Sequence, residues 1–312
     1  MNELRKDYLI ERFVIIAEGR GKRPEQFKQE KKGEEKVGKC FFCPGNEETT
    51  PQEIGRIPNG ASWKMRWFPN KFPAVTNEGN PDVMTHNTFF TFASAFGQHE
   101  VIVETPEHEK KLWDLSEEDL FQLFKIYKER TEELSKRSGV KYVSVFKNHG
   151  SEAGTSIVHT HSQIVAYNII PPLVEEEFAA YKKFGECPFC GIISAEKDSE
   201  RRAYENEHAI AFCPYASRVP FEIWLMPKSH LPSITSLDDA QLKALAELLK
   251  KILAKLKGLN APYNYYLHYH PENFHFHIEV TPRITKWAGF ELGNNTYINI
   301  MPPEKAAEFY RQ

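Results

Sequence analysis

His159-Thr160-His161-Ser162-Gln163 is the stretch of this 312-residue sequence whose residue types and spacing come nearest to a reactive centre. It sits in an apolar, β-branched run, with Ser156-Ile157-Val158 before it and Ile164-Val165-Ala166 after it. Side chains alternate faces along a strand, so His159, His161 and Gln163 are expected on one face and Ser162 on the other. A neutral imidazole is a capable nucleophile when one ring nitrogen donates a hydrogen bond and the other faces the electrophile. Gln163 can donate its amide to phosphoryl oxygens, where negative charge accumulates during transfer. The approach Asn148-His149-Gly150-Ser151-Glu152-Ala153-Gly154-Thr155-Ser156 adds backbone amides and hydroxyls suited to phosphates. Together these residues point to phosphoryl-type transfer through a covalent adduct on His161.

Four of the five cysteines form two pairs, Cys40-Phe41-Phe42-Cys43 and Cys187-Pro188-Phe189-Cys190, and Cys213 stands alone. In a cytoplasmic chain such pairs read as metal sites or redox pairs before structural disulfides. Histidines follow each pair in the same order. Two tetrahedral ligand sets result: Cys40, Cys43, His108 and His159, and Cys187, Cys190, His230 and His275. Thiolates and imidazoles suit zinc, and four protein ligands leave no open position, so both sites are expected to be structural. The metal of the second set is open between zinc and iron. With His159 held by a metal, His161 is free on the same strand.

The elements that must position these groups repeat along the chain. In the first half, Cys40/Cys43 is followed by a strand at His99-Glu100-Val101-Ile102-Val103-Glu104, then Pro106-Glu107-His108. A helix from about Ser116 to Ser138, a strand near Tyr142 to Phe146 and His159-Thr160-His161 complete it. The second half repeats the order with Cys187/Cys190, Phe221 to Met226, Pro227-Lys228-Ser229-His230, a helix from about Leu237 to Leu256, Tyr263 to His268 and His275-Phe276-His277. Both helices open with a capping-box pattern, Ser116-Glu117-Glu118-Asp119 and Ser236-Leu237-Asp238-Asp239. The expectation is an α+β chain made of two copies of one unit, residues 1–172 and 173–312. Glu279 stands where the first half has Gln163, and no glycine-rich approach precedes it. A carboxylate repels a diphosphate, so the second half is not expected to be a second active site.

A 41% hydrophobic content gives such a chain material for real cores, and a net charge of −3 argues against broad binding to nucleic acid or anionic membranes. No run approaches a membrane span and no secretory leader is evident, so a cytoplasmic protein is expected. Phe89-Phe90-Thr91-Phe92 and Tyr263-Asn264-Tyr265-Tyr266 read as core strands.

These motifs resemble the galactose-1-phosphate uridylyltransferase family, a branch of the histidine-triad superfamily built from two such halves. The resemblance runs over nearly the whole chain. It includes Gly19-Arg20-Gly21-Lys22-Arg23-Pro24, Asn70-Lys71-Phe72-Pro73-Ala74-Val75 and the His-x-His-x-Gln core, and ends at Lys286-Trp287-Ala288-Gly289-Phe290-Glu291. It implies a tandem duplication of a histidine-triad-like unit, antiparallel sheet with helices, with the two halves packed together. His161 would be the nucleophile and Gln163 its phosphoryl-binding partner. The nucleoside would lie near Asn70, Phe72 and Asn148, the phosphates near Gly154 and Ser156, and the hexose against Lys286, Phe290 and Glu291. Arg20 and Arg23 would reach phosphates from the other subunit of a homodimer. The transferases usually read His-Pro-His-Gly-Gln, whereas Thr160 and Ser162 replace the Pro and Gly here. Their second metal site usually uses a Glu and three histidines, which leaves His277 open between a ligand and a vestigial nucleophile.

The leading expectation is a nucleotidyltransferase that moves UMP from UDP-glucose to galactose 1-phosphate by a ping-pong route. ADP-glucose phosphorylase has the same pattern and releases the nucleotidyl group to inorganic phosphate; diadenosine-tetraphosphate phosphorylases are more distant. A zinc-stabilised nucleotide- or RNA-binding module without turnover would show a basic stripe interleaved with aromatics, which is missing. A CxxC redox protein does not explain why there are two such pairs.

Overall fold

The computed structural model describes residues 2–20, 39–58, 60 and 62–312, with only the backbone of Arg20. In chain order the strands of the first half are β1 (Glu3–Lys6), β2 (Phe13–Ile16), β3 (Gly55–Ile57), β4 (Met65–Pro69), β5 (Met84–Thr85), β6 (Thr91–Phe92) and β7 (Gly97–Val103). Helix α1 (Glu117–Ser135) follows, then β8 (Tyr142–His149) and β9 (His161–Tyr167). The second half brings α2 (Pro172–Tyr181), α3 (Pro188–Glu196), β10 (Arg202–Glu205), β11 (Ala209–Phe212) and β12 (Ile223–Pro227). It continues with α4 (Asp239–Gly258), β13 (Tyr263–His268), β14 (His277–Pro282), α5 (Gly289–Asn294), β15 (Thr296–Asn299) and α6 (Pro303–Arg311).

Ten strands form one sheet in the order β10-β11-β12-β14-β13-β8-β9-β7-β4-β3. Read outward from its centre, the order is the same on both sides: β8-β9-β7-β4-β3 one way and β13-β14-β12-β11-β10 the other. All its pairings are antiparallel, and β8 joins β13 across the middle, with Phe146 opposite Tyr266 and Asn148 opposite Asn264. The repeat seen in the sequence is therefore a two-fold pattern in space.

Period-two alternation decides which residues face which way. In β8, Val143, Val145 and Lys147 are buried on one face, and Ser144, Phe146 and Asn148 are half-buried on the other. In β13 Tyr263, Tyr265 and Leu267 are buried, while Asn264 and Tyr266 alternate with them. The buried face is covered by α1 and α4. Leu242, Leu245, Leu249, Ile252, Leu253 and Leu256 form one stripe of α4 at three- and four-residue spacing, all buried. Each such side chain contributes about 1.5–3 kcal/mol by leaving water. The opposite face stays partly open in the first half.

Several expectations need correction. Strand β9 begins at His161, so Ser156 to Thr160 is loop and His159 is not on the strand. Of the two capping boxes, Ser116 with Asp119 forms as read, but α4 is capped by Asp238 with Gln241 because the chain enters the helix two residues later than Ser236. The aromatics of Phe89-Phe90-Thr91-Phe92 are not core. They belong to the small β5–β6 hairpin, with Phe89 84% and Phe90 65% exposed. Tyr263 and Tyr265 are core as expected.

The first residues of the chain pack on its second half. β2 pairs in parallel with β15, Arg5 bonds Glu304 at 2.9 Å, and Tyr8 donates to Glu196 at 2.7 Å. Among the described residues no helix is long and apolar enough to cross a membrane.

Candidate active site and metal centres

The Cys40-to-Cys43 turn sits beneath the end of the β8–β9 connection, where it meets two histidines. Sγ of Cys40 lies 3.6 Å from Nδ1 of His159; Sγ of Cys43 lies 3.6 Å from His159 Nδ1 and 3.5 Å from His108 Nδ1. A tetrahedral ion with bonds of about 2.0–2.3 Å sets its ligand atoms roughly 3.3–3.8 Å apart, so these atoms fit one. The second half repeats the arrangement: Cys187 to His275 at 3.8 Å, Cys190 to His275 at 3.7 Å and Cys190 to His230 at 3.8 Å. All four atoms of each set lie within 4.8 Å of one another. Burial and the neighbouring thiol push Cys43 and Cys190 up to about 11, a cost of gathering negative charge that a bound cation removes. Burial pulls His159 and His275 down to about 4, so both rings are neutral and able to ligate. Each first histidine also donates Nε2–H to a backbone carbonyl, His159 to Thr105 at 2.7 Å and His275 to Pro227 at 2.9 Å, which fixes Nδ1 toward the cysteines.

His161 follows His159 by two residues and opens β9. Its Nδ1 donates to the carbonyl of His159 at 2.9 Å, and the ring of Phe42 lies edge-on at 5.3 Å. Gln163 projects from the open face of β9, between Val101 of β7 and Phe146 of β8. Its Oε1 is 2.9 Å from Nε2 of His99. The Ala74 amide donates to His99 Nδ1 at 3.1 Å, so that nitrogen is the acceptor and Nε2 carries the proton. Burial lowers the His99 pKa against the bond to Gln163, which keeps the ring neutral. With its oxygen taken, Gln163 has its NH₂ group left to offer.

The other residues singled out from the sequence divide. Asn70 makes a turn, its Oδ1 accepting from the Phe72 amide at 2.9 Å, and its Nδ2 lies 3.2 Å from His99 Nε2, beside Gln163. Phe72 is exposed. Asn148 is on the open face at the centre of the sheet, accepting from Asn264 at 2.8 Å. Beyond it a turn at Ser151–Ala153 is bounded by Gly150 and Gly154, both at positive φ; a Cβ on Gly150 would also meet Pro262 at 2.9 Å. Gly154 and Ser156 lie exposed in this loop. Lys286 reaches the same loop through an ion pair with Glu152 at 2.7 Å. Phe290 is exposed, and Glu291 caps α5 by accepting from the Ala288 amide at 2.9 Å. The side chain of Arg20, and Arg23 altogether, lie outside the described residues. Between Asn148 and the tail the open face forms a cleft of about 330 Å³, lined among others by Phe146, Asn264, Arg283 and Trp287.

In the second half His277, His268 and Glu279 form a buried group. Its charges are matched internally. Arg218 bonds both Glu279 and Glu222, Tyr266 donates to Glu279 at 2.7 Å, and His268 bonds Glu177. Burial alone would raise the Glu279 carboxyl, but Arg218 and the nearby histidines hold it well below the usual range.

His99 and Arg218 were missed in the sequence. The available signal was a polar residue alternating with valine on a predicted strand for His99, and a single Arg within Ala216-Ser217-Arg218-Val219-Pro220 for Arg218.

Comparison with known proteins follows the same lines. Residues 1–171 match the family described as galactose-1-phosphate uridyl transferase, N-terminal domain, and residues 97–309 match a domain of unknown function, DUF4921. An ADP-glucose phosphorylase of Arabidopsis thaliana is 33% identical over 99% of this chain and 92% of that protein. A galactose-1-phosphate uridylyltransferase of Thermotoga maritima is 30% identical over 100% of this chain and 98% of its own length. The crystal structure of an Arabidopsis thaliana ADP-glucose phosphorylase with bound ADP-glucose superposes with a TM-score of 0.85 at 31% identity, covering 100% of this chain and 99% of that one. With a family match across more than half its length and full-length relatives of this kind, the chain belongs to the galactose-1-phosphate uridylyltransferase family.

Proposed function

We propose that this enzyme transfers a nucleotidyl group from a nucleotide sugar through a covalent adduct on His161, with UDP-glucose as donor and galactose 1-phosphate as acceptor. The observation that carries the reading is the tautomer at His161. The His159 carbonyl can only accept, so Nδ1 holds the proton and Nε2 holds the lone pair. Burial, helped by the charge of Lys147 and opposed by that carbonyl, lowers the ring's pKa and keeps it neutral.

In the first step Nε2 attacks the α-phosphorus of the donor. A P–N bond forms, the bond from that phosphorus to the bridging oxygen breaks, and glucose 1-phosphate leaves with the electron pair. In the second step a phosphate oxygen of galactose 1-phosphate attacks the same phosphorus, and the P–N electrons return to His161. A phosphate monoester is a good leaving group, so little acid assistance is needed. Gln163 offers its NH₂ to the phosphoryl oxygens as charge builds, with His99 holding the amide in that sense.

Asn70, Phe72 and Asn148 are assigned to the nucleoside, Gly154 and Ser156 to the phosphates, and Lys286, Phe290 and Glu291 to the hexose. The Lys286–Glu152 ion pair, which ties the tail to the phosphate loop, supports this layout. The two Cys₂His₂ sets are assigned to zinc, the ion that soft thiolates with imidazoles favour. Zinc there supplies a structural cross-link that fixes the loop ahead of His161. Residues 1–172 and 173–312 are taken as the units of the duplication, supported by the mirrored strand order. A homodimer in the cytoplasm is inferred from the bare aromatic surface of Phe72, Phe89 and Phe90 and from five cysteines of which none is disulfide-bonded.

A second reading keeps the chemistry and changes the partners: ADP-glucose as donor and inorganic phosphate as acceptor. The identity to the ADP-glucose phosphorylase relative, 33% against 30% for the Thermotoga maritima uridylyltransferase, favours it. Incubation with UDP-glucose or ADP-glucose without acceptor, followed by intact mass, decides between them. A UMP adduct discharged by galactose 1-phosphate and absent from His161→Ala is the expected result; an AMP adduct discharged by phosphate establishes the second reading. No adduct from either donor, in protein with its full metal content, overturns both.

A further inference from the structure

Behind the catalytic strand, on the face turned away from the cleft, Glu104 and Lys147 form an ion pair at 2.7 Å with both side chains essentially out of solvent. The donors of the ammonium and the oxygens of the carboxylate all have partners. The ammonium has three donors, and they go to Glu104 at 2.7 Å, the Thr160 hydroxyl at 2.8 Å and the His161 carbonyl at 2.8 Å. The carboxylate receives Lys147, Thr160 at 2.6 Å and Ser162. Ser162 is bonded to Tyr127 at 2.5 Å, and Tyr127 to Tyr265 at 2.6 Å. Thr160 and Ser162 stand on either side of His161 in the chain, and both hydroxyls point into this network.

The second half is an internal control. Strand register equates Lys147 with Leu267 and Ser162 with Ile278, since Lys147 lies opposite Ser162 and Leu267 opposite Ile278. Thr160 corresponds to Phe276, and Met226-Pro227 follow Leu225 where Glu104 follows Ile102-Val103. The fold accepts a purely apolar filling at this place, in the half whose second histidine is walled by aromatic rings. Replacing a buried ion pair by well-packed apolar groups is often neutral or stabilising, so stability alone is a weak reason to keep one.

We propose that the Glu104–Lys147 pair, completed by Thr160 and Ser162, is a positioning device for the nucleophile. Lys147 holds the His161 carbonyl from behind while His161 Nδ1 holds the His159 carbonyl, so backbone and ring are fixed at once and Nε2 keeps one direction. The proposal rests on transfer through His161.

The test is the single-turnover rate of adduct formation at saturating nucleotide sugar, measured beside donor affinity, metal content and thermal midpoint. Lys147→Met is expected to slow adduct formation by about 10²-fold, the usual cost of misplacing a reacting group by about 1 Å, with donor affinity changed by less than about twofold. Thr160→Val removes one hydroxyl at constant shape and is expected to slow the step by roughly tenfold, while Thr160→Ser restores it. Should Lys147→Met fail to fold, the Thr160 pair decides alone. Adduct formation at the wild-type rate per folded, metal-loaded molecule, with only the thermal midpoint lowered, makes the network structural and overturns the proposal. Absence of an adduct in the wild-type protein refutes the functional reading instead.

Discussion

His161 with Gln163 and His277 with Glu279 occupy equivalent places in two copies of one strand arrangement, yet Gln163 is half-buried where Glu279 is 2% exposed. Among the described residues His161 has one aromatic ring close by, that of Phe42, whereas His277 is enclosed by Phe189 at 5.1 Å, Trp224 at 5.2 Å and Phe274 at 6.1 Å. Helices α2 and α3 and the N-terminal residues Tyr8 and Leu9 close over that face. The polar partners differ in the same sense. Gln163 is oriented by a neutral imidazole and keeps two donors free, while Glu279 is neutralised by Arg218 and has nothing left to offer. One strand arrangement is therefore covered and lined differently in its two copies, and the proposed division of activity between them follows that difference.

The comparison is broken most directly at the two histidines. His161→Ala is expected to lower nucleotidyl transfer by at least about 10³-fold, as loss of a covalent nucleophile does, whereas His277→Ala leaves the rate per folded molecule within about twofold. Equal losses in a steady-state assay would show that the second row takes part in chemistry. The next effect is on stability. Arg218→Met strands the Glu279 and Glu222 carboxylates in a buried site and is expected to cost about 3–5 kcal/mol by urea unfolding, part of it regained in Arg218→Met/Glu279→Leu, which leaves only Glu222 without its partner. A single variant as stable as wild type would mean that Glu279 is not held by Arg218.

The smallest effect is in the acid limb of stability. A carboxyl whose folded pKa is depressed stabilises the fold above its unfolded value and loses that contribution as pH falls through the folded one. Glu279 starts from 4.5 and is pulled well below it, so its share is intact at neutral pH and disappears only below about 4.5. Thermal midpoints measured from pH 6 to 3 should fall more gently in Glu279→Gln than in wild type. Parallel curves would remove Glu279 from the account.

The sequence exposed what depends on local spacing and on repetition: the two CxxC pairs, the His-x-His rows, the capped helix α1 and the duplicated order of elements. It hid what depends on which strands become neighbours. His99 reaches Gln163 only because β7 lies beside β9, and nothing in the sequence singles out Lys147, which β8 places beside Thr160 and Ser162. Aromatic content misled at Phe89 and Phe90, because composition reports β-preference and does not say which side a short hairpin turns to water.

The pairing of β8 with β13 has a further meaning for how such a chain could arise. A single copy of the unit would end in a bare strand edge, and bare edges seek another strand. Two free copies could satisfy each other edge to edge, at a cost that depends on their concentration. Joining them in one polypeptide makes that encounter intramolecular and permanent. Once the partner is guaranteed, one copy can keep a less enclosed polar row while the other fills in and serves as the wall that the first is built against.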